Sequence, residues 1–537
     1  MSAQARSRST QGLEADPAIS CGPGGWPLAG AGACFVLSGF AALVYQTAWL
    51  RQFSLVFGTA ELAVATVLAA YMAGLATGAA LINRWLPRIR RPLRAYAALE
   101  LGICISAVAV PSNKAALGWM LTTALGHQPA PPASRGFGGS LFYMTSAFVA
   151  LGLPTALMGA TLPLLARYAV RSDREVARRI GFLYAGNTLG AVGGALATGF
   201  VLLPGLGLTR TVATAALVNL VAFIIAARIA RRTESTLQLP ADRTAASGKA
   251  AATRHDRRLR FTHGPQWILP IMLLSGGVSF VYEVLWTRML SHTLGTSMHA
   301  FATMLASVLA GIALGGALAA AIVRHRTSAA HAFVVAQLLT AAASAFAYLH
   351  LDAWMPAFGG VARNPWLAML LMLPATLAIG ATYPLAVRVL ASDAITPESA
   401  AARVYAWNTV GAVFGALLAG LAILPVLRFE GTAHVAAASN LALAFLALVL
   451  LTRARLPWLI TVFGIAAGGA VLFQPPMPEH LLLASPLRLG PPGAIRFYDV
   501  GRSASVVVLE RDGMLALRTN GLPEALVEMA GTPPKFS

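Results

Sequence analysis

The chain has 537 residues, 57% of them hydrophobic and 11% charged, which leaves too little charge to clothe a water-soluble globule of this size. The net charge of +20 does not read as a nucleic-acid surface, because the arginines cluster in short gaps between apolar runs, the pattern of membrane topology. Cys21, Cys34 and Cys104 have no metal or redox spacing, and an odd count gives no disulfide framework.

Residues 1–27 form a polar tail without a short hydrophobic signal core, and the first apolar run is too long for a cleaved signal peptide, so an uncleaved cytoplasmic tail is expected. Apolar runs of about twenty residues then recur, each long enough to cross roughly 30 Å of hydrocarbon as a helix. Six spans are predicted in residues 28–230, at 30–56, 61–83, 93–110, 141–169, 180–203 and 211–230. Arginines follow the second span (Arg84, Arg88, Arg90, Arg91, Arg94), the fourth (Arg171, Arg174, Arg178, Arg179) and the sixth (Arg228, Arg231, Arg232). Those gaps face the cytoplasm by the positive-inside rule, and the gap 112–140, with Pro129, Pro131 and Pro132, falls on the other side.

Residues 231–265 read as a cytoplasmic linker, rich in Ala, Ser, Thr and Arg without apolar periodicity. Six further spans are predicted in residues 266–452, at 266–293, 299–323, 332–350, 367–390, 404–427 and 433–451. A thirteenth apolar run, 456–473, is short and rich in Gly and Ala; if it crosses, everything after it lies outside. Residues 474–537 change character: a β-type run at 503–509, a turn signal at Asp512-Gly513, a second strand at 514–519 and a second turn signal at Asn520-Gly521.

The two halves repeat each other. Leu37, Ser38, Gly39, Tyr45, Trp49, Arg51, Gly58, Thr59, Gly74 and Gly78 return at identical spacing as Leu274, Ser275, Gly276, Tyr282, Trp286, Arg288, Gly295, Thr296, Gly311 and Gly315. The Gly159–Pro163 block returns at 380–384, and Tyr184, Asn187, Gly190, Gly194 and Asn219 return as Tyr405, Asn408, Gly411, Gly415 and Asn440. The chain is a tandem duplication. Because each copy holds an even number of spans, both lie the same way up, and parallel six-plus-six repeats are the major-facilitator arrangement. The expected fold is therefore an all-α polytopic membrane protein with two parallel six-helix repeats, a thirteenth span and a short C-terminal β-hairpin tail.

Acid inside a membrane is costly, so Glu100 and Glu283 are the first candidates for a site. Glu283 stands where the first copy has Gln46, and Glu100 where the second has Gln337. Equivalent positions surround a pseudo-twofold axis, so the four groups are candidates for a central cavity that takes a proton or a small-molecule cation such as an amine. The alternative is that each acid bonds a neighbouring Arg, Tyr or amide and locks helix packing. Tyr45 and Trp49, like Tyr282 and Trp286, lie one helical turn apart on one face; they read as an interfacial aromatic belt with Arg51 and Arg288 reaching headgroups, or as an aromatic wall for a cation. Gly74/Gly78 and Gly311/Gly315 read as close-packing ladders, Pro163 and Pro384 as kinks or hinges, and Asn187 and Asn408 as interhelical hydrogen-bond glue. No H-E-x-x-H, nucleophile elbow or Walker loop is present, and no metal or nucleic-acid site is expected.

The L-S-G-x(5)-Y-x(3)-W-x-R opening of each half, the G-A-T-x-P block, the Y-x-x-N-T-x-G-A-x-x-G-A block and a tail running V-V-V-L-E-x-D-G…L-R-x-N-G together resemble the membrane-bound spermidine synthase-like proteins. That family joins a major-facilitator-like membrane region to a polyamine synthase-type domain. The resemblance implies that a Rossmann-like domain, with a glycine-rich loop and acidic residues for a decarboxylated S-adenosylmethionine-type cofactor and the amine, should follow Gly521; the sequence holds none of it. No catalytic residue is carried over, because Asp499, Glu510 and Asp512 belong to the small β-domain, and no cofactor is expected in this chain. The expectation is an inner-membrane protein of this family, inactive alone in aminopropyl transfer. Its alternatives are a major-facilitator-like carrier of a polyamine or other organic cation, and a membrane anchor for a separately encoded synthase-like catalytic chain.

Overall fold

The computed structural model describes residues 25–57, 60–124, 137–170, 175–233, 264–295, 298–323, 325–354, 365–392, 395–452, 475–485, 487, 493–502 and 504–528. Residues 1–24, most of the linker and the thirteenth apolar run at 456–473 lie outside them. Among the described residues the first repeat holds α1 (Gly25–Phe57), α2 (Ala60–Trp85), α3 (Pro92–Ala124), α4 (Phe137–Ala169), α5 (Val176–Ala197) and α6 (Leu203–Thr233). The second holds α7 (Ile268–Leu294), α8 (Met298–Ile322), α9 (Arg326–Trp354), α10 (Pro365–Leu390), α11 (Pro397–Leu418) and α12 (Leu424–Leu451). A short α13 (Glu479–Leu483) leads to β1 (Ala494–Val500), β2 (Ser505–Arg511), β3 (Met514–Thr519) and β4 (Leu522–Glu528).

Ten stretches of the described residues are long and apolar enough to cross a membrane, and two of these, Arg178–Thr233 and Pro397–Leu451, run 56 and 55 residues. At 1.5 Å per residue each is about 80 Å long, more than twice a hydrocarbon layer. Each passes through a π-helical turn, Thr198–Leu202 or Ala419–Ile423, and then breaks at a non-helical residue, Gly207 (φ 72°) or Arg428 (φ 56°). Ile180 and Ile229 share one core cluster, so the chain returns to the end it left. The predicted fifth and sixth spans are thus joined by kinked helix instead of a loop. The third span is also longer than predicted: α3 continues past Pro111 to Ala124, so the first part of the expected 112–140 gap is helical.

The packing obeys the duplication. Within the halves α1 lies against α5 and α6 as α7 lies against α11 and α12, and α2 lies against α4 as α8 lies against α10. Between them α5 packs on α8, and its image, α11, packs on α2. In lipid the helices gain little from hydrophobic transfer, so backbone proximity through small residues carries the association. A Cβ at Gly78 would stand 1.8 Å from the Ala156 carbonyl oxygen, and one at Gly315 1.9 Å from that of Leu377. The two glycine ladders therefore set the α2–α4 and α8–α10 distances, as their spacing predicts.

One apolar core joins both halves at the arginine-bearing end, gathering Phe35, Leu93 and Ile180 with Met272, Phe333 and Leu390. Since the starts of α1 and α7 both enter it, the repeats are parallel. At the opposite end the core divides into two clusters, around Trp49 and Phe53 in the first half and around Trp286 and Phe429 in the second, with half-buried Phe301 packed against both.

The tail is a four-stranded antiparallel meander ordered β1-β2-β3-β4. Asp512-Gly513 and Asn520-Gly521 both take positive φ (49° and 77°; 50° and 79°), the type I′ geometry that matches the twist of adjoining strands. Both turn signals and the β2–β3 hairpin were legible in sequence; β1 and β4, which complete the sheet, were not.

Candidate functional site

Two polar triads occupy equivalent places. In the first repeat the Asn219 amide donates to the Glu100 carboxylate at 2.6 Å, with Ser38 and Tyr96 beside it. In the second the Gln337 amide donates to Ser275 Oγ at 2.8 Å and accepts from Asn440 Nδ2 at 2.5 Å. Each triad ties α1, α3 and α6, or α7, α9 and α12, inside its own half. Glu100 and Gln337 are wholly buried there, and every hydrogen bond described for them stays within that half. This is the geometry of a helix lock, and it leaves no exposed carboxylate for a ligand at Glu100. The asparagines that complete it had a sequence signal, an amide repeated within an apolar span, but their partners were not readable.

The second pair behaves differently. Gln46 is buried on α1, whereas its counterpart Glu283 on α7 is half-buried, and no described contact joins either to the triads. None of the described hydrogen bonds joins Gln46 or Glu283 to Glu100 or Gln337.

Tyr45 and Trp49 stack at 5.1 Å with an interplanar angle of 14°, and both are fully enclosed. Tyr282 and Trp286 are buried in the matching core. Burial excludes an interfacial belt, because rings in such a belt keep one edge in the headgroup layer; these rings are core. Of the two arginines expected to reach headgroups, Arg51 is exposed while Arg288 is buried. Arg288 donates to the carbonyls of Gly501 (2.6 Å) and Arg502 in the β1–β2 loop.

Arg288 opens a junction that holds the sheet on the second repeat, at the end opposite the arginine-bearing gaps. His292 Nε2 meets Ser505 Oγ at 2.6 Å, and Ser505 Oγ in turn donates to Asn520 Oδ1 at 2.9 Å. Gly521 lies so close to the end of α7 that a Cβ would stand 2.7 Å from the His292 carbonyl oxygen. Arg428 pairs with Asp499 at 3.2 Å and lies over the Tyr498 ring, 5.6 Å from its centroid. Tyr348 Oη donates to the Pro476 carbonyl at 3.0 Å, and Arg518 to that of Leu483 at 2.9 Å. Burial lowers the pKa of Arg518 and raises that of Tyr498, with Glu430 adding to the latter. Leu481, Leu482, Tyr498, Val500, Val507 and Leu509 complete the second half's core, so the sheet is an integral part of that half. Sequence reading missed this junction because its contacts join residues from 35 to 214 positions apart in the chain.

In the tail Asp499 is paired with Arg428, Glu510 with Arg496 and Asp512 with Arg511, and Glu524 and Glu528 on β4 are exposed. Among the described residues no group of three His, Cys, Asp or Glu side chains could hold a metal ion.

No family model matches the sequence. Over 186 residues the chain is 30% identical to a polyamine aminopropyltransferase of Corynebacterium efficiens, covering 34% of this chain and 32% of that protein. Over 184 residues it is 32% identical to one of Mycobacterium tuberculosis, covering 34% and 32%. The match thus spans about a third of the length of these curated relatives. Among solved structures, the human organic anion transporter MFSD10 (TETRAN) aligns with a TM-score of 0.47 at 12% identity, covering 78% of this chain and 99% of that one. The proton:xylose symporter XylE bound to 6-bromo-6-deoxy-D-glucose aligns at 0.48 and 16% identity, covering 79% and 96%.

Proposed function

We propose that this chain is the membrane region of a polyamine aminopropyltransferase-like protein of the bacterial inner membrane, with its arginine-bearing end in the cytoplasm. Its four-stranded sheet is the seat on which a synthase-type catalytic part is held. The observation that carries this reading is the junction of Arg288, His292 and Arg428 with the sheet, which makes the tail a rigid extension of the second repeat; the partial likeness to polyamine aminopropyltransferases supplies the chemistry. Aminopropyl transfer itself needs a glycine-rich Rossmann-like part that residues 1–537 do not contain, supplied as further sequence or as a separate chain. Proteoliposomes holding the chain, given decarboxylated S-adenosylmethionine and putrescine, should show no transfer until a Rossmann-like synthase half is added. Membrane-bound transfer should then be lost when Arg288→Ala with His292→Ala frees the sheet. Transfer by the chain alone, or equal transfer in the freed variant, would refute the proposal.

A second reading, a carrier of polyamines or other organic cations, is favoured by the joined core at one end and the divided core at the other, a shape suited to rocking of two halves. Glu283, half-buried on α7, is its candidate acid. Proton-driven putrescine uptake into vesicles should disappear in Glu283→Gln; unchanged uptake removes the carboxylate from that role.

A further inference from the structure

At the arginine-bearing end of the second repeat the starts of α7 and α9 and the ends of α10 and α12 enclose an open-mouthed pocket of about 370 Å³. Its two sides differ in chemistry. Arg326, Thr327 and His331 come from the first turns of α9; the ends of α10 and α12 supply an apolar part, with Val389, Leu450 and Leu451. His331 is anchored through Nδ1 to the Thr327 carbonyl at 2.9 Å, which keeps Nε2 for another partner.

The duplication provides an internal control. At the positions equivalent to Ala330 and Val389 the first repeat has Leu93 and Tyr168, and both are buried in the joined core. The second repeat has smaller side chains at these two points of α9 and α10; both stay in the same core, and both line the pocket. Arg326 replaces Ile89, while Thr327 and His331 replace Arg90 and Arg94, so the pocket keeps one arginine beside a hydroxyl and an imidazole.

We propose that this pocket binds the phosphate-bearing headgroup of an acidic phospholipid from the adjoining leaflet. The guanidinium of Arg326 and the hydroxyl of Thr327 meet the phosphodiester, His331 adds a donor when protonated, and the apolar wall takes the glycerol and the first acyl carbons. Basic pockets between membrane helices on the cytoplasmic side favour anionic headgroups through charge and hydrogen bonding together. A free phosphate would use the polar side alone and leave Leu450 and Leu451 against water, so the two-sided lining selects the lipid.

The test is native mass spectrometry of the purified full chain titrated with phosphatidylglycerol, with phosphatidylcholine as the neutral control and millimolar inorganic phosphate as a competitor. Wild type should retain one phosphatidylglycerol in preference to phosphatidylcholine, and phosphate should not displace it. R326Q should weaken retention about fivefold, the scale of one basic group at an anionic surface, while R326K should keep it. V389Y, which restores the first repeat's side chain, should abolish retention without changing charge. Equal retention in R326Q and V389Y, equal retention of phosphatidylcholine, or displacement by inorganic phosphate would each overturn the proposal, the last by making the pocket a phosphate site.

Discussion

Arg428 adopts a backbone conformation (φ 56°, ψ −163°) that glycine takes freely and other residues rarely do, at a cost of order 1–3 kcal/mol. Its repeat partner is Gly207, at nearly the same angles (φ 72°, ψ 178°). The second copy has given up the glycine and gained a side chain that grips Asp499 and Tyr498 in the sheet. Arg428→Gly is therefore expected to raise the melting temperature of the helical region, by relief of about 1 kcal/mol, while making the sheet easier to cleave by protease. A variant that loosens the sheet without that gain would show that the turn is not strained. The triads allow a similar comparison, since the second copy runs the same lock with a neutral amide. Glu100→Gln should cost under about 1 kcal/mol, whereas Glu100→Ala should cost about 1–3 kcal/mol by leaving Asn219 without its acceptor. Thermal unfolding in detergent measures both, and a large loss in Glu100→Gln would mean that the charge itself is needed.

Among the elements, α2 and α8 are defined by what they lack. The 1.8–1.9 Å approaches at Gly78 and Gly315 involve backbone carbonyls on α4 and α10, which cannot rotate aside as a side chain can. Gly78→Ala and Gly315→Ala should each destabilise the fold by about 1–3 kcal/mol, with little difference between the repeats; a harmless Gly78→Ala would contradict the interhelical spacing. In the sheet, the phenol of Tyr498 has its pKa raised by burial above the ordinary 10.0. The docked sheet thus keeps a proton that the undocked one loses, so docking is unchanged below pH 10 and weakens as pH rises past it. Protease protection of residues 494–528, followed from pH 8 to 11, should show this decline, and Tyr498→Phe should flatten it.

For the whole molecule, the sheet's attachment to the second half alone breaks the symmetry of the duplication. Arg288→Ala should weaken docking by about 2–3 kcal/mol, the scale of hydrogen bonds from a charged donor, and leave the helices intact. Loss of the helical fold in that variant would place the sheet within the folding core. The apolar runs, their arginine-bearing gaps and the repeated blocks determined by themselves that the chain is polytopic, duplicated and parallel, because crossing length and charge bias act through the solvent and need no tertiary partner. The two turns were legible for the same reason, since Asp-Gly and Asn-Gly satisfy positive φ locally. Only the tertiary structure decided the fate of the polar and aromatic residues: Glu100 became a lock, Tyr45 and Trp49 core, and Arg288 and Arg428 clasps on the sheet. Those roles depend on which distant side chain arrives alongside, and that is set by the packing of helices far apart in the chain.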